Sequence, residues 1–107
     1  MRDRVDAVPA HVLLECYSLL TRLPAPHRLA APDAASLLAH TGLKPLGLPA
    51  TSYAALVQRL APTQVRGGAI QDALVAATAR HHGHHLLTRD RRARSTYENT
   101  GVDFTLL

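Results

Sequence analysis

At 107 residues the chain has room for one domain with a real core and not for two, and an apolar share of 47% with 19% charged residues excludes a disordered chain. A single cysteine excludes an internal disulfide framework and a multi-cysteine zinc site. The net charge of +4, with eleven arginines among the 12 basic residues, favours a polyanionic partner, because guanidinium pairs with phosphate in a bidentate way.

No run approaches the roughly 18 apolar residues of a membrane-spanning helix. Pro9, His11 and Glu15 interrupt what would otherwise pass for a signal-peptide core, so a cytoplasmic protein with no membrane partner is expected. A first helix is predicted over 9–22: Pro9 suits its first turn, Val12, Cys16, Leu19 and Leu20 recur at helical spacing, and Leu23-Pro24 and Pro26 end it. Cys16 falls within that apolar pattern and reads as a buried free thiol. A second helix is expected to start near Asp33, as N-cap after Pro32, with Leu37 and Leu38 inward and Gly42 just past its end.

The short apolar stretch 43–48, bounded by Gly42 and Pro49, fits a strand. Thr51 or Ser52 can then cap a third helix with Tyr53, Leu56, Val57 and Leu60 as its inward stripe, closed by Pro62. Gly67-Gly68 opens the strongest helix, AIQDALVAATARHH, whose alanines combine high propensity with close packing, and Gly83 stops it. A buried strand is expected over 85–88, a helix over RRARSTYENT with Asp90 as N-cap and Gly101 beyond it, and a last strand over 102–107. Strands separated by helices imply a parallel α/β sheet in one domain spanning 1–107.

Only eight acids occur, and Glu15, Asp72 and Asp90 sit where solubility does not require them. Glu15 interrupts HVLLECYSLL near the edge of the apolar face. Asp72 lies in the first turns of the alanine-rich helix, and Asp90 at the carboxyl end of a strand, in LLTRD. Strand carboxyl ends and adjoining helix N-termini form the ligand-binding crevice of open parallel sheets. Each acid also has a plain structural role open to it. Asp72 complements the helix dipole, Asp90 caps a helix without a complete capping box, and Glu15 is a solvated residue one turn after His11. Converging at about 4 Å, such groups repel by roughly 4 kcal/mol per pair at an effective dielectric near 20. A fold tolerates that repulsion when a cation neutralises it, and oxygen ligands without cysteine suit Mg²⁺ or Mn²⁺.

Taken together, HVLLECYSLLTRLP, GGAIQDALVAATARHHGHHLLTRDRRA and TYENTGVDFTLL closely resemble the PIN-domain ribonucleases of the VapC type, the toxins of bacterial toxin–antitoxin pairs. The combination of a helix-borne glutamate, GG-x-x-x-D-A and T-x-D carries the resemblance. It implies a PIN-like three-layer α/β fold, with a short parallel sheet flanked by helices. It also implies a Mg²⁺-dependent (or Mn²⁺-dependent) endoribonuclease of a type II system, acting on RNA, restrained by a cognate antitoxin and homodimeric. Glu15 matches the family's helical glutamate, Asp72 its metal-ligating aspartate, Thr88 the fourth-strand threonine and Asp90 the aspartate after it. The family's N-terminal strand ending in an aspartate has no counterpart here; Asp3 and Asp6 stand too close to the Glu15 helix. An N-terminally truncated domain is therefore expected. The alternative function is a catalytically inactive remnant that binds an antitoxin or a partner toxin chain.

Arg89, Arg91, Arg92 and Arg94 surround Asp90. Arginines in the first turn of a helix oppose its dipole, which favours a role in gripping RNA phosphates over a merely solvated helix start. His81, His82, His84 and His85 straddle Gly83 and a change from helix to strand, which points to a solvated helix end rather than a metal site. Tyr17, Tyr53, Tyr97 and Phe104 are scattered at inward positions and read as core, not as a base-stacking platform.

Overall fold

The computed structural model describes residues 5–107. The chain divides into two compact units, Met1–Gly47 and Leu48–Leu107. Asp3 lies outside the described residues.

In the first unit, β1 (Ala7–Pro9) leads directly into α1 (Ala10–Thr21), followed by α2 (Ala31–His40) and β2 (Lys44–Leu46). The two strands pair in parallel with Val8 opposite Pro45. Each contains a proline, which cannot donate to a ladder, and this limits the pairing to three residues. The sequence pattern predicts no strand at β1, because three residues ending in proline carry no readable alternation. Pro9 stands at the N-cap of α1 rather than within its first turn. The helix α2 starts at Ala31, two residues earlier than expected. Pro32 occupies its first turn, where the missing N–H is no loss, and Asp33 complements the dipole instead of capping.

The packing of this unit is lighter than the periodicity implied. Among its described residues the one fully buried side chain is Ala34, on α2, which packs against α1. No residue of α1 is fully buried: Cys16 is half-buried, Leu14 is 71% exposed, and Leu19 also faces solvent. Leu37, expected inward, is 50% exposed, while Leu38 is half-buried.

The second unit holds α3 (Thr51–Leu60), α4 (Ala69–His81), β3 (Leu86–Thr88), a 3₁₀ turn (Arg91–Ala93), α5 (Arg94–Thr100) and β4 (Phe104–Leu106). The strands β3 and β4 form a second parallel pair, with Thr88 opposite Leu106, joined through α5. Two clusters make its core. One gathers Ala76, Ala79, Ala93, Tyr97 and Val102, with Leu86 and Phe104 against them. The other gathers Leu56, Leu60, Val65 and Ala73.

Alanines on the buried face of α4 let neighbouring backbone approach closely, as their number predicted. The α3 stripe is narrower than expected. Only Leu56 and Leu60 are buried, one turn apart, whereas Tyr53 and Val57 line an open groove of about 410 Å³ with Ile70 and Leu74. Neither Thr51 nor Ser52 caps α3, which starts from Ala50 without a side-chain cap.

The end of α5 is tied down by two arginines. Arg59 Nη2 and Arg80 Nη1 both donate to the Thr100 carbonyl, at 3.3 and 3.2 Å, satisfying a terminal acceptor of the helix. Gly101 then reverses the chain at φ +76°, and an added Cβ would meet Arg80 Cζ at an ordinary 3.7 Å. Space is therefore available and only the left-handed conformation resists a side chain. Gly101→Ala is expected to reduce the unfolding free energy by about 1 kcal/mol in urea titrations; an unchanged midpoint would refute this.

Among the described residues, no helix is long and apolar enough to cross a membrane.

Candidate functional site

Three of the four singled-out residues meet in the second unit. Asp72 sits in the first turn of α4, Thr88 ends β3, and Asp90 follows two residues later as N-cap of the 3₁₀ turn. Thr88 and Asp90 form a tight local unit. The Asp90 N–H donates to Thr88 Oγ1 at 3.1 Å, and Asp90 Oδ1 accepts from the Arg92 N–H at 3.0 Å. This is the capping role left open for Asp90, and it fixes the carboxylate at the strand's carboxyl end.

Asp72 and Asp90 lie close enough to repel. The Asp72 carboxyl is held above its ordinary range, first by partial burial and second by the negative charge of Asp90, with Arg92 opposing both. Two half-buried carboxylates in mutual range supply hard oxygen ligands and a site where positive charge is favoured. A Mg²⁺ ion commonly binds through one or two carboxylates and keeps several waters, so this pair fits such an ion.

Glu15 lies on α1 in the first unit, at an exposed position. His11, one turn before it, has a buried Nε2 without a hydrogen-bond partner, so that atom does not tie it to Glu15. Among the described residues no three His, Cys, Asp or Glu groups gather to hold a metal. The second unit thus brings two of the three singled-out carboxylates, Asp72 and Asp90, into mutual range.

The tyrosine at 97 was legible only as core, and it is more than that. Tyr97 is 4% exposed, packs at 5.4 Å from Phe104, and lies near the Thr88 side chain within the field of Asp72 and Asp90. Burial and the two negative charges push its phenol up, while the Thr88 hydrogen bond pulls it down. The available signal was chemical: a buried tyrosine needs a partner for its hydroxyl, and Thr88 lies on the strand that α5 packs beside.

The four arginines differ in their surroundings. Arg92 Nε lies 3.7 Å from Asp90 Oδ1 with its side chain almost fully solvated, and Arg94 pairs with Glu98 one turn on at 3.5 Å. Arg89 and Arg91 are exposed. The histidines behave as a helix end: His81 and His82 stack edge to face, and His85 Nε2 is 2.7 Å from Thr105 Oγ1.

Known proteins share this arrangement of sequence. The PIN domain profile matches residues 5–99. Ribonuclease VapC27 of Mycobacterium tuberculosis (strain ATCC 25618 / H37Rv) is 48% identical over 99 residues, covering 92% of this chain and 72% of that protein. Ribonuclease VapC40 of the same species (strain CDC 1551 / Oshkosh) is 48% identical over 99 residues, covering 92% of this chain and 74% of that protein. No solved structure matches the chain. With a PIN profile spanning most of its length and VapC ribonucleases nearly half identical to it, the chain belongs to the PIN-domain family, in its VapC-type branch.

Proposed function

We propose that this chain is a Mg²⁺-dependent (or Mn²⁺-dependent) endoribonuclease, the toxin of a type II toxin–antitoxin pair. It cleaves RNA in the cytoplasm, forms a homodimer and is restrained by a cognate antitoxin. The observation that carries this reading is the half-buried Asp72–Asp90 pair at the carboxyl end of β3, whose repulsion a divalent cation relieves. The ribonuclease names of relatives at 48% identity support it. The PIN profile reaches across both compact units, which supports treating 1–107 as one domain.

The chain's residues divide the work as follows. Asp72 and Asp90 would hold the cation, with Arg92 engaging Asp90 at Oδ1 through its N–H and its guanidinium. Glu15 of α1 is the residue that matches the family's helical glutamate. Thr88 fixes the backbone of Asp90 through its hydroxyl. A divalent cation in this place supplies Lewis acidity, which makes water a nucleophile near neutral pH and neutralises charge on the phosphodiester. Arg89, Arg91, Arg92 and Arg94 position the RNA backbone through its phosphates.

The deciding experiment is cleavage of a structured RNA by the purified protein with Mg²⁺, with chelator, and with Mg²⁺ restored. Cleavage should vanish with chelator and return with the ion. Cleavage that persists without any divalent ion would remove the proposal. The second reading is a catalytically inactive remnant that binds an antitoxin or a partner toxin chain. It predicts no cleavage under any of the three conditions, together with association in a pull-down.

The arginines give a separate expectation. Arg91→Ala should weaken RNA binding about equally across sequences and reduce the slope of log affinity against log salt by about 1, as for loss of one phosphate contact. An unchanged slope in filter-binding titrations would remove Arg91 from the interface.

A further inference from the structure

We propose that Arg59 and Arg80 form a second anion site, apart from the acidic centre, which grips one phosphate of an RNA strand. That RNA is the source of the phosphate rests on the reading of the chain as a ribonuclease.

The site is built from two helix ends. Arg59 stands in the last turn of α3 and Arg80 in the last turn of α4. Both guanidiniums converge on the Thr100 carbonyl, at 3.3 and 3.2 Å, so a single oxygen holds them side by side. They line a cavity of about 320 Å³ together with Ser52, Ala55, Leu56 and His81.

Closing the end of α5 does not account for two cations. One guanidinium satisfies a terminal carbonyl, and a helix end carries roughly half a negative charge. Even the ends of α4 and α5 together leave the two arginines net positive. Carboxylates do not make up the difference: among the described residues the arginine ion pairs are Arg92 with Asp90 and Arg94 with Glu98. Each guanidinium carries five N–H donors, and one from each goes to Thr100. The others serve an anion in the cavity, where His81 and Ser52 add an imidazole N–H and a hydroxyl.

Phosphate suits this donor set, because planar guanidiniums match its oxygens in a bidentate way. Arg80 follows Asp72 by eight residues on the same helix, about 12 Å along its axis. One RNA strand can therefore touch the acids near the start of α4 and the arginines at its end.

The test is binding of a fluorescein-labelled single-stranded RNA oligonucleotide to the full chain in chelator, titrated across salt concentrations. The double variant Arg59→Gln/Arg80→Gln removes both charges. Ala55→Glu keeps both arginines and their bonds to Thr100. Ala55 is exposed, lines the cavity and precedes Arg59 by one helical turn, so the added carboxylate takes the place of the phosphate. Val57→Glu makes the same charge change on α3 in the neighbouring groove. The double variant and Ala55→Glu are each expected to lower the slope of log affinity against log salt by about 0.7, the value for one phosphate contact on a single strand. Val57→Glu should keep the wild-type slope. The unfolding midpoint of Ala55→Glu should match or exceed wild type, since glutamate one turn before arginine favours the helix.

A wild-type slope in Ala55→Glu overturns the site, whatever the double variant does. An equal fall in Val57→Glu also overturns it, since net charge alone would then explain the loss. If inorganic phosphate raises the wild-type midpoint while Ala55→Glu keeps the wild-type slope, the occupant is a free anion and RNA is overturned as its source. Mg²⁺-dependent cleavage with unchanged slopes overturns this site and leaves the ribonuclease reading standing. Wild type that neither binds nor cleaves RNA overturns both.

Discussion

Replacing Asp72 by asparagine is expected to lower metal-dependent RNA cleavage by more than about 100-fold, beyond the range for residues that only support a ligand. The fold should persist, because Asp72 is half-buried in the first turn of a helix whose other contacts are alanines of the core. The same substitution has a measurable effect on stability. Asp72 is held above the ordinary 3.8 by burial and by Asp90, so the folded protein binds its proton more tightly than the unfolded chain does. Below that ordinary value the group is protonated in both states and contributes nothing. As pH rises through the raised folded value the folded state becomes charged against a penalty, and stability is lost. Between a pH below the ordinary 3.8 and neutral pH, metal-free wild type should therefore lose stability through this group, and Asp72→Asn should lose less. Added Mg²⁺ should restore neutral-pH stability in the wild type and not in the variant. Urea titrations at the two pH values, with and without Mg²⁺, read all of this. Cleavage undiminished in Asp72→Asn would end the assignment of this carboxylate.

Removing the whole Tyr97 side chain should be the most damaging single truncation in the second unit. Tyr97→Ala empties a ring-sized space among Ala76, Ala79, Ala93, Val102 and Phe104, and truncations of this size lower unfolding free energy by about 3–5 kcal/mol. Domains of this size hold roughly 5–15 kcal/mol in total, so the variant is expected to be partly unfolded at physiological temperature. The neighbours are small and already at close quarters, which leaves little that can collapse into the gap. Tyr97→Phe keeps the ring and loses only the hydroxyl, an effect of about 1 kcal/mol. Thermal unfolding of the two variants separates the ring from the hydroxyl. Equal midpoints would show that the ring does not hold this cluster.

The resemblance carried by the glutamate helix, GG-x-x-x-D-A and T-x-D was readable without coordinates, and the family match confirms it. So were most helices and their ends, because proline and glycine set them locally. Gly83 and Gly101 take positive φ at the ends of α4 and α5, and Pro24 and Pro26 follow α1. The strands β2, β3 and β4 lie inside the predicted stretches, each trimmed to three residues.

What local rules could not supply falls into two kinds. Helix starts shifted where no side chain caps, as at Ala30 and Ala50, because backbone and packing there outweigh capping preference. Burial faces shifted as well: Tyr53, Val57 and Leu37 satisfy helical periodicity, yet on α2 and α3 only Ala34, Leu56 and Leu60 are buried. Periodicity reports which residues share a face and says nothing about how wide a partner covers it.

The acids show the same division. Residue type and placement were enough to single out Glu15, Asp72 and Asp90 and to call for a cation. The nearness of Asp72 to Asp90, eighteen positions apart, is a tertiary fact: α4 packs on α5, and the β3–β4 pairing sets where that helix lies. Tyr97 comes near them for the same reason, since the packing of α5 carries its ring into the core beside Phe104. Sequence alone determined which family this chain belongs to; the tertiary structure decided that Asp72 and Asp90 come into mutual range, because repulsion between charges is tolerated only where packing elsewhere holds them in place.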